Sequence, residues 1–463
     1  SKGDAMSEKQ IIAEGKFVKD ADAVITEDLK KRKLLFAVLP YEHDYPHCWR
    51  CATPLLYYAR NSWWVRTTKV KNELIKNNRT VNWIPEHIKE GRLGEFLSEL
   101  RDWAFSRERY WGTPLPAWVC RKCKAVEVIG SLKELAERAP QSGNTYLAVR
   151  HGESETQLLG IIADSNSKYH MTEKGREQIE RAAEKLKKEN IDIIIHSDVL
   201  RTTEAARILA EQLGVKTTLK DARIREINAG IFDGRPGKEY HDFYSSREEK
   251  FVKAPPQGES LSDLRIRLME FMHEIEHKFR NKKILIVSHE YPIWILDGAS
   301  RGLDRDGIIG LRKPHGKDFI GLAGVIPIKF MNLPRDSSGE VNLHRPFVDD
   351  FHLVCKARLP DGQACGGRTE RIKDVVDAWF DSGAMPFAQA HYPFEKGARL
   401  QFPADFISEG VDQTRGWFYT LLAVSTLLEK EAPYRHVISL GHVLDKNGQK
   451  MSKSKGNVVD PWE

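Results

Sequence analysis

Two turn-rich stretches, residues 141–144 and 333–339, enclose a block in which short apolar runs alternate with segments of helical spacing. The runs at 146–149, 191–195 and 284–287 predict strands, and the segments at 173–189, 202–212 and 261–279 predict helices. Such alternation favours βαβ units and a mostly parallel sheet. We therefore expect residues 141–336 to form a complete α/β domain that is inserted into another domain.

The sequence on either side of this block is rich in aromatic and basic residues. Its apolar spacing predicts helices at 71–76 and 93–105, while the short run at 21–25 predicts a strand. We expect four regions along the chain. They are residues 1–36, the end of a preceding domain, then 37–140 and 337–463, the two parts of a host domain, with the inserted block at 141–336 between them.

Composition excludes several classes of protein. The 463 residues carry 72 Lys and Arg against 66 Asp and Glu, and the net charge of +6 permits a polyanionic partner without requiring one. No apolar run approaches the ~20 residues of a membrane-spanning helix, and the first residues lack a signal-peptide core. We expect a soluble, cytoplasmic protein with no membrane partner. The first residue is not Met, and we expect the chain to be an internal piece of a longer protein.

Histidine and arginine occur where three predicted strands of the block end. Arg150 and His151 follow the first strand, His196 ends the second with Arg201 about one helical turn later, and His289 follows the third. In open α/β sheets, ligands bind at the carboxyl ends of the strands. A neutral histidine can attack a phosphoryl group, and arginines can stabilise the charge on its oxygens. The pattern predicts a convergent cationic site for phosphoryl chemistry.

The order of these residues resembles the histidine phosphatase superfamily over most of residues 145–300. The similar stretches are Arg150-His151-Gly152, Met171 to Gln178, Ser197 to Arg201, Glu226 with Gly230, Gly258-Glu259-Ser260 and Ser288-His289. The resemblance implies that His151 is the nucleophile and that Glu226 protonates the leaving group. It also implies that Arg150, Arg201 and His289 hold the phosphoryl oxygens. One departure is Gln157, where many members have Asn. The phosphorylated substrate is unknown, and a non-catalytic module that grips phosphate or tRNA is the alternative.

A second set of motifs lies in the host regions. The strongest is Lys450-Met451-Ser452-Lys453-Ser454, a loop whose lysines and hydroxyls can close on a triphosphate. Further stretches are Tyr45 to Cys51, Ser106 to Pro114, Trp379 to Gly383 and Glu409 to Trp417. Together they resemble the isoleucyl members of the class I aminoacyl-tRNA synthetase family, with a valyl-type host as the alternative.

This second resemblance implies a fold and a set of ligands. The fold is α/β, the C-terminal half of a split Rossmann-type catalytic domain with a zinc ribbon, and residues 1–36 would end the editing domain. The ligands are ATP with Mg²⁺, isoleucine and tRNA. The implied roles are ATP contacts by Lys453 and Lys450, an adenylate site lined by Glu409, Gly410, Asp412 and Gln413, and an amino-acid pocket walled by Trp379 and Trp417. The family's His-Ile-Gly-His motif does not occur, so we expect no aminoacylation by this chain alone.

The six cysteines predict metal binding. Cys120 and Cys123 can share one ion as half of a tetrahedral zinc site. By the resemblance, Cys355 and Cys365 beyond the block form the other half, although their ten-residue separation is wider than usual in the family. Cys48 and Cys51 resemble a second half-site. A rival arrangement joins Cys48 and Cys51 to Cys120 and Cys123, and four structural thiols without metal are a further alternative.

Overall fold

The computed structural model describes residues 15–43, 45–48, 51–56, 60–163, 168–312, 318–395, 400–449, 451, 456–459 and 462. The chain divides into two compact units, residues 1–61 and 62–463. Among the described residues, no helix is both long enough and apolar enough to cross a membrane.

The first unit is built around helix α1 (Val18–Lys31). The strand predicted over 21–25 is wrong, because the apolar residues there also fit helical spacing and the flanking charges favour a helix. Asp20 lies in the first turn and Lys30 and Lys31 in the last, which complements the helix dipole. An ion pair of Arg32 with Asp28, four residues apart at 3.2 Å, adds to the same preference.

The second unit contains several sheets and the helices that cover them. Its strands are β1 (Trp64–Val65), β2 (Asn82–Ile84), β3 (Trp103–Ala104), β4 (Ser106–Arg107), β5 (Ala117–Cys120), β6 (Val126–Val128), β7 (Thr145–Arg150), β8 (Ile193–His196), β9 (Thr217–Lys220), β10 (Lys283–Ser288), β11 (Val325–Ile328), β12 (Thr369–Arg371), β13 (Val375–Val376), β14 (Ala404–Gly410) and β15 (Tyr434–Leu440). Its α-helices are α2 (Lys71–Thr80), α3 (Gly94–Ser98), α4 (Leu132–Arg138), α5 (Glu155–Leu159), α6 (Glu173–Leu186), α7 (Leu200–Leu213), α8 (Gly237–Asp242), α9 (Glu249–Val252), α10 (Leu261–Lys278), α11 (Glu290–Ser300), α12 (Arg305–Arg312), α13 (Ala378–Ala388) and α14 (Trp417–Leu427).

The inserted block contains a five-stranded sheet of order β11-β7-β10-β8-β9. Strands β7, β10, β8 and β9 are parallel, and β11 runs antiparallel beside β7. The mostly parallel sheet predicted from the sequence is therefore confirmed. The predicted strands correspond to β7, β8 and β10, and the predicted helices correspond to α6, α7 and α10.

Both faces of this sheet are covered, which explains the continuous apolar runs of its central strands. Alternate side chains of β10 point to opposite faces. Ile284 and Ile286 pack with α10 and α11 in one core. Leu285 and Val287 pack with α6 and α7 in another. The sheet is thus held between two layers of helices, and its strand ends are fixed in place.

The host regions form a parallel sheet of order β14-β15-β2. Helix α14 supplies Phe418 and Leu422 to the core beneath it, and β15 supplies Val437. The helix predicted at 71–76 is confirmed as part of α2. The helix predicted at 93–105 is wrong beyond Ser98, where α3 ends, and Trp103 lies in the short strand β3.

A tertiary contact explains the early end of α3. Asp102 accepts hydrogen bonds from the backbone N–H of Thr68 at 3.1 Å and from its hydroxyl at 2.6 Å. The indole of Trp103 donates to Asp377 at 3.1 Å. These bonds and the pairing of β3 with β1 outweigh the helical spacing of the apolar residues.

A small antiparallel sheet of order β12-β5-β6 adjoins the block. The two ends of the block meet, since β7 and β11 pair with Tyr146 opposite Ile328. An inserted domain needs termini that lie close together in this way. The boundaries at 141 and 336 and the four-region division stay predictions.

Candidate active site

The carboxyl edge of the five-stranded sheet brings the predicted histidines and arginines together. Arg150 stands opposite Ser288 in the register of β7 and β10, and His196 stands opposite Val287. His151 and His289 are the next residues along their chains. A cavity of about 500 Å³ opens at this edge, and Arg150, His151, Arg201 and Glu226 are among its lining residues.

The hydrogen bonds of His151 identify its tautomer. Its Nδ1 lies 2.7 Å from the carbonyl oxygen of Gly152, which can only accept, so Nδ1 carries the proton. Its Nε2 therefore has the lone pair, and it accepts a hydrogen bond from Arg201 Nε at 3.2 Å. Burial, together with Arg201 and Arg150, holds the pKa of His151 well below its usual value. The imidazole is neutral near pH 7, as a nucleophile must be.

Arg201 also contacts the second histidine of the cavity. Its Nη2 donates to His289 Nδ1 at 3.1 Å and to the carbonyl oxygen of Ala163 at 2.9 Å. The Nε2–H of His289 consequently points to Ser197 Oγ at 3.0 Å. The rings of His151 and His289 meet edge to face with centroids 5.2 Å apart. One buried guanidinium thus orients both histidines.

Arg150 supplies a second buried guanidinium. Its Nη1 donates to the carbonyl oxygen of Ile320 at 2.7 Å and lies 3.3 Å from a carboxylate oxygen of Asp318. Its Nε is buried and has no hydrogen-bond acceptor among the described residues. A buried donor without an acceptor is unfavourable, so an anion in the cavity would be stabilised there.

Glu226 lines the same cavity and is protonated more readily than an ordinary carboxyl group. Burial, with a smaller contribution from the charge of Glu290, raises its pKa to about 7. One carboxylate oxygen accepts the backbone N–H of Ile227 at 2.9 Å. A carboxyl group that titrates near neutral pH can act as a general acid and then as a general base.

Several motif residues support the site without entering it. The backbone after β7 approaches the first turn of α6 so closely that a Cβ on Gly152 would lie 2.1 Å from the carbonyl oxygen of Gly175. Thr172 caps α6 by accepting the N–H of Gly175 at 3.0 Å. Gln178 Oε1 accepts the N–H of Glu153 at 2.8 Å. This part of the motif therefore fixes the loop that carries His151.

The other motif stretches fix the Glu226 loop and the start of a helix. Glu259 accepts the N–H of Asn228 at 2.8 Å, and Ser260 caps α10. Gln157, the departure from the family pattern, accepts the N–H of Ser154 at 2.9 Å and its hydroxyl at 2.8 Å. Its amide oxygen is thus occupied in capping α5.

Sequence reasoning missed the remaining charged residues of the cavity. Lys250, Arg312, Glu290 and Arg247 line it together with Tyr291. Glu290 accepts Arg312 Nη2 at 2.7 Å and the N–H of Phe319 at 2.8 Å. Glu290 could have been predicted as a site residue, because it directly follows His289 in the sequence. Lys250 and Arg312 lie in helices that no recognised motif marks.

Four cysteines form a cluster in the small antiparallel sheet. The sulfurs of Cys120, Cys123, Cys355 and Cys365 all lie within 4.8 Å of one another. Two of the pairs, Cys120 with Cys365 and Cys123 with Cys355, are 3.7 Å apart. Tetrahedral zinc with Zn–S bonds of ~2.3 Å would place its sulfurs about 3.8 Å apart. The donor set therefore fits zinc.

The segment between Cys355 and Cys365 forms a hairpin, which explains their wide spacing. Arg358 pairs with Ala364 across it, and Gly362 takes a positive φ of 82° at its turn. The backbone N–H of Cys123 lowers the pKa of Cys120 to about 6, whereas burial raises the pKa of Cys355 to about 12. Before an ion binds, the thiolate form is therefore favoured at Cys120 and not at Cys355.

Cys48 and Cys51 lie in the first unit. Thr53 lowers the pKa of the exposed Cys51 through a contact of 2.9 Å between its hydroxyl and the sulfur. A tetrahedral ion takes four ligands, and Cys120 and Cys123 already have two partners in the second unit. Four sulfurs already complete the coordination of one ion, so the structure does not support the rival arrangement with Cys48 and Cys51.

The predicted adenylate residues lie at the carboxyl end of β14. Glu409 and Gly410 end this strand, with Gly410 opposite Leu440 of the parallel β15, and Asp412 and Gln413 follow in the next turn. Gln413 Oε1 accepts the N–H of Trp417 at 2.9 Å. Lys450 and Lys453 fall outside the described residues.

The predicted tryptophans lie on α13 and α14. The indole of Trp417 donates to the carbonyl oxygen of Ser382 at 3.2 Å. A Cβ on Gly416 would lie 3.0 Å from the ring of Trp379, which is 44% exposed. A separate cavity of about 730 Å³ near α3 is lined by Phe96, Arg415 and others, and by none of the predicted adenylate or amino-acid residues.

Comparison with known families matches two parts of the chain. The family of tRNA synthetases class I (I, L, M and V) matches residues 6–191 and 337–463. The histidine phosphatase superfamily (branch 1) matches residues 146–312. The two matches overlap at 146–191, where the structure forms β7, α5 and α6 of the inserted block.

Curated relatives are isoleucine–tRNA ligases. Those of Dehalococcoides mccartyi (strain 195) and Bacillus thuringiensis (strain Al Hakam) are 30% identical over 452 residues and 32% identical over 449 residues, covering 96% of this chain in both cases. The ligase of Thermus thermophilus is 31% identical over 97% of the chain. The alignments cover 24 to 25% of these relatives, so the chain spans about a quarter of their length.

Solved structures with a partial likeness include Bacillus stearothermophilus YhfR, 22% identical with a TM-score of 0.35, which covers 43% of this chain and 98% of that one. Another is the mycobacterial glucosyl-3-phosphoglycerate phosphatase Rv2419c in complex with VO3, also 22% identical with a TM-score of 0.35, covering 40% and 90%.

Proposed function

Because the chain belongs to the class I tRNA synthetase family and carries a histidine phosphatase domain within it, we propose that the inserted domain hydrolyses phosphate monoesters. We propose further that the surrounding residues belong to an isoleucine–tRNA ligase. The observation that carries the first proposal is the neutral Nε2 of His151, which faces a cavity beside two buried guanidinium groups.

The reaction follows from this geometry in two steps. His151 Nε2 attacks phosphorus, the bond to the leaving oxygen breaks, and Glu226 gives that oxygen a proton. Arg150 and Arg201 stabilise the phosphoryl oxygens during the transfer. His289 joins them when its Nε2–H exchanges Ser197 for a phosphoryl oxygen. In the second step Glu226 takes a proton from water, the water oxygen attacks phosphorus, and the phosphorus–nitrogen bond breaks to release phosphate.

A direct test uses p-nitrophenyl phosphate and acid-quenched mass spectrometry. We expect turnover of this ester and a mass increase of one phosphoryl group on the peptide that contains His151. Phosphate binding with no turnover would instead favour the alternative of a non-catalytic module.

We predict that Glu226→Gln separates substrates by leaving group. A poor leaving group needs the proton of Glu226, so hydrolysis of an alkyl phosphate should fall by about 10²- to 10⁴-fold. p-Nitrophenyl phosphate leaves as a weakly basic phenolate, so its rate should change by less than about tenfold. The matched control is Glu239→Gln, a carboxylate on α8 whose side chain is 48% exposed.

The pH dependence gives a second readout for the same residue. Since the pKa of Glu226 is raised to about 7, the proton donor is present below this pH and is lost as the pH rises through it. Alkyl phosphate hydrolysis should therefore decline between pH 6 and 8 in the wild type. If Glu226→Gln keeps this decline, another group is the acid.

We predict that the inserted domain works alone. The turn after residue 336 packs on α10, where Arg265 bonds the carbonyl oxygen of Ser338 at 3.1 Å and pairs with Glu340 at 2.5 Å. The fragment to express is therefore 141–342. Its kcat/KM for p-nitrophenyl phosphate should lie within about threefold of the full chain, because every assigned catalytic residue lies between Arg150 and His289. A folded fragment without activity would show that host residues complete the site.

For the host, we propose an isoleucine–tRNA ligase that uses ATP with Mg²⁺ to activate isoleucine for transfer to tRNA. The alignments with isoleucine–tRNA ligases cover 96% of the chain at 30 and 32% identity, and they support the isoleucyl rather than the valyl assignment. In this proposal Glu409, Gly410, Asp412 and Gln413 line the adenylate site. Trp379 and Trp417 wall the amino-acid pocket, and Lys450 and Lys453 contact ATP.

We also propose that Cys120, Cys123, Cys355 and Cys365 hold a structural zinc ion. Their four sulfurs match the separation that a tetrahedral ion requires. The ion would crosslink β5 to the hairpin that follows the inserted domain.

A further inference from the structure

The cavity of the inserted domain has a second cationic region on elements that do not carry the proposed catalytic residues. Lys250 lies on α9, Arg247 lies just before it, and Arg312 ends α12. All three residues line the cavity that also contains His151. At about 500 Å³ the cavity is large enough for a small metabolite rather than for inorganic phosphate alone.

Lys250 is a buried ammonium group whose contacts are neutral. It is 7% exposed, and its Nζ lies 2.9 Å from the hydroxyl of Tyr291 and 3.1 Å from Nδ1 of His241. Its Nζ also lies 4.7 Å from the ring centre of Tyr240 and 5.0 Å from that of Tyr244. Within the described part of the chain, no ion pair joins Lys250 to a carboxylate. Burial of a charge without a counter-ion is costly, so an incoming anion would be stabilised here.

The other charges of the cavity leave this region positive. The carboxylates of Glu290 and Asp318 are each paired with an arginine, Arg312 and Arg150 respectively. Glu226 also lines the cavity, and burial raises its pKa, which reduces its negative charge near neutral pH. Arg247 is exposed and makes no side-chain ion pair among the described residues. A phosphoryl group beside His151 would be bound by Arg150 and Arg201. Lys250 and Arg247 would then still lack an anion.

The first turn of α11 links the two regions. His289, which directly precedes this helix, contacts Arg201, and Tyr291 two residues later contacts Lys250. The two regions are therefore held at a fixed separation by one buried helix. A rigid pair of anion sites selects ligands whose two charges have the matching spacing.

We propose that Lys250 and Arg247 bind a second anionic group of the substrate, so that the domain selects phosphate monoesters that also bear a carboxylate or a second phosphate. This inference rests on the proposed phosphatase function and names its substrate class. It assigns Lys250 and Arg247 to specificity rather than to bond breaking.

The test compares three esters with the same three-carbon chain. They are propyl phosphate, 3-(phosphonooxy)propanoate and propane-1,3-diyl bisphosphate, with p-nitrophenyl phosphate as the common reference. In the wild type we expect kcat/KM for one of the two esters with a second anionic group to exceed that for propyl phosphate by about 10- to 100-fold, as charge-assisted hydrogen bonds allow. The preferred ester distinguishes a carboxylate from a second phosphate.

Two variants and one control locate the effect. Lys250→Met should reduce the preference to about threefold or less, and the exposed Arg247→Gln should reduce it without risk to folding. Both should keep p-nitrophenyl phosphate turnover within about threefold. The control is Lys253→Met, directly after the same helix, because Lys253 pairs with Glu249 at 2.8 Å and does not line the cavity. It should keep the full preference.

The outcomes separate this inference from the proposed activity. Turnover of p-nitrophenyl phosphate with no preference among the three esters would overturn the second anion site and leave the phosphatase function intact. A preference retained in both Lys250→Met and Arg247→Gln would also overturn it. Calorimetric dissociation constants of the same esters with His151→Ala protein give the preference without turnover, so an absence of catalysis does not hide the result.

Discussion

Replacement of His151 by alanine is expected to lower the turnover of p-nitrophenyl phosphate by roughly 10⁴-fold or more. Removal of a nucleophile eliminates the covalent route, and losses of this size are typical when a covalent catalytic group is deleted. His151 is 2% exposed, and its Nε2 is the lone-pair nitrogen beside Arg201. Steady-state kinetics and the loss of the phosphopeptide signal measure the effect.

The control for this prediction is His277→Ala. His277 is exposed on α10 and contacts the carbonyl oxygen of His273 at 2.7 Å, so its removal should leave the rate unchanged. Thermal unfolding of both variants checks that the fold is kept. Equal activity in the wild type and in His151→Ala would remove the nucleophile assignment.

The second large effect is expected on stability. Cys355→Ser should reduce bound zinc from about one ion per chain to almost none and lower the free energy of unfolding by at least about 4 kcal/mol. The reason is that structural zinc contributes ~10–16 kcal/mol of apparent binding energy in model peptides, and loss of a metal is among the few changes with effects this large. Elemental analysis and denaturant unfolding provide the measurements.

Cys51→Ser is the matched control, since Cys51 is exposed and lies in the first unit. It should leave the zinc of the four-cysteine cluster and the unfolding curve of the second unit unchanged. Purified protein that contains no zinc, with an unfolding curve that Cys355→Ser does not alter, would contradict the proposed structural metal.

The convergence of the histidines and arginines could be predicted from the sequence because these residues follow strand ends. A parallel sheet places the carboxyl ends of its strands at one edge, so Arg150, His151 and His289 had to lie near one another once β7 and β10 were recognised. The same reasoning could not predict that Lys250 lines the cavity. It enters the cavity from α9, a four-residue helix whose position depends on packing against Tyr240 and Tyr291.

The wrong predictions have related causes. The apolar spacing of residues 93–105 fits a helix, but Asp102 and Trp103 form hydrogen bonds with Thr68 and Asp377 that no local pattern indicates. The strands β9 and β11 were not predicted from the sequence either. β11 is a four-residue strand at the sheet edge, and it contains Pro327. A proline within a short apolar run argues against a strand, so the sequence pattern does not indicate one here.

The pairing of β7 with β11 also affects how the four thiols find one another. Cys123 and Cys355 are 232 residues apart in sequence. Once Tyr146 and Ile328 are paired, the connection between these cysteines shortens to the segments 124–144 and 329–354, roughly fifty residues. Loop-closure entropy then falls by about 1.4 kcal/mol, which raises the effective concentration of one thiol pair at the other about tenfold. If the four thiols bind an ion as proposed, its affinity is thereby coupled to the folding of the inserted domain.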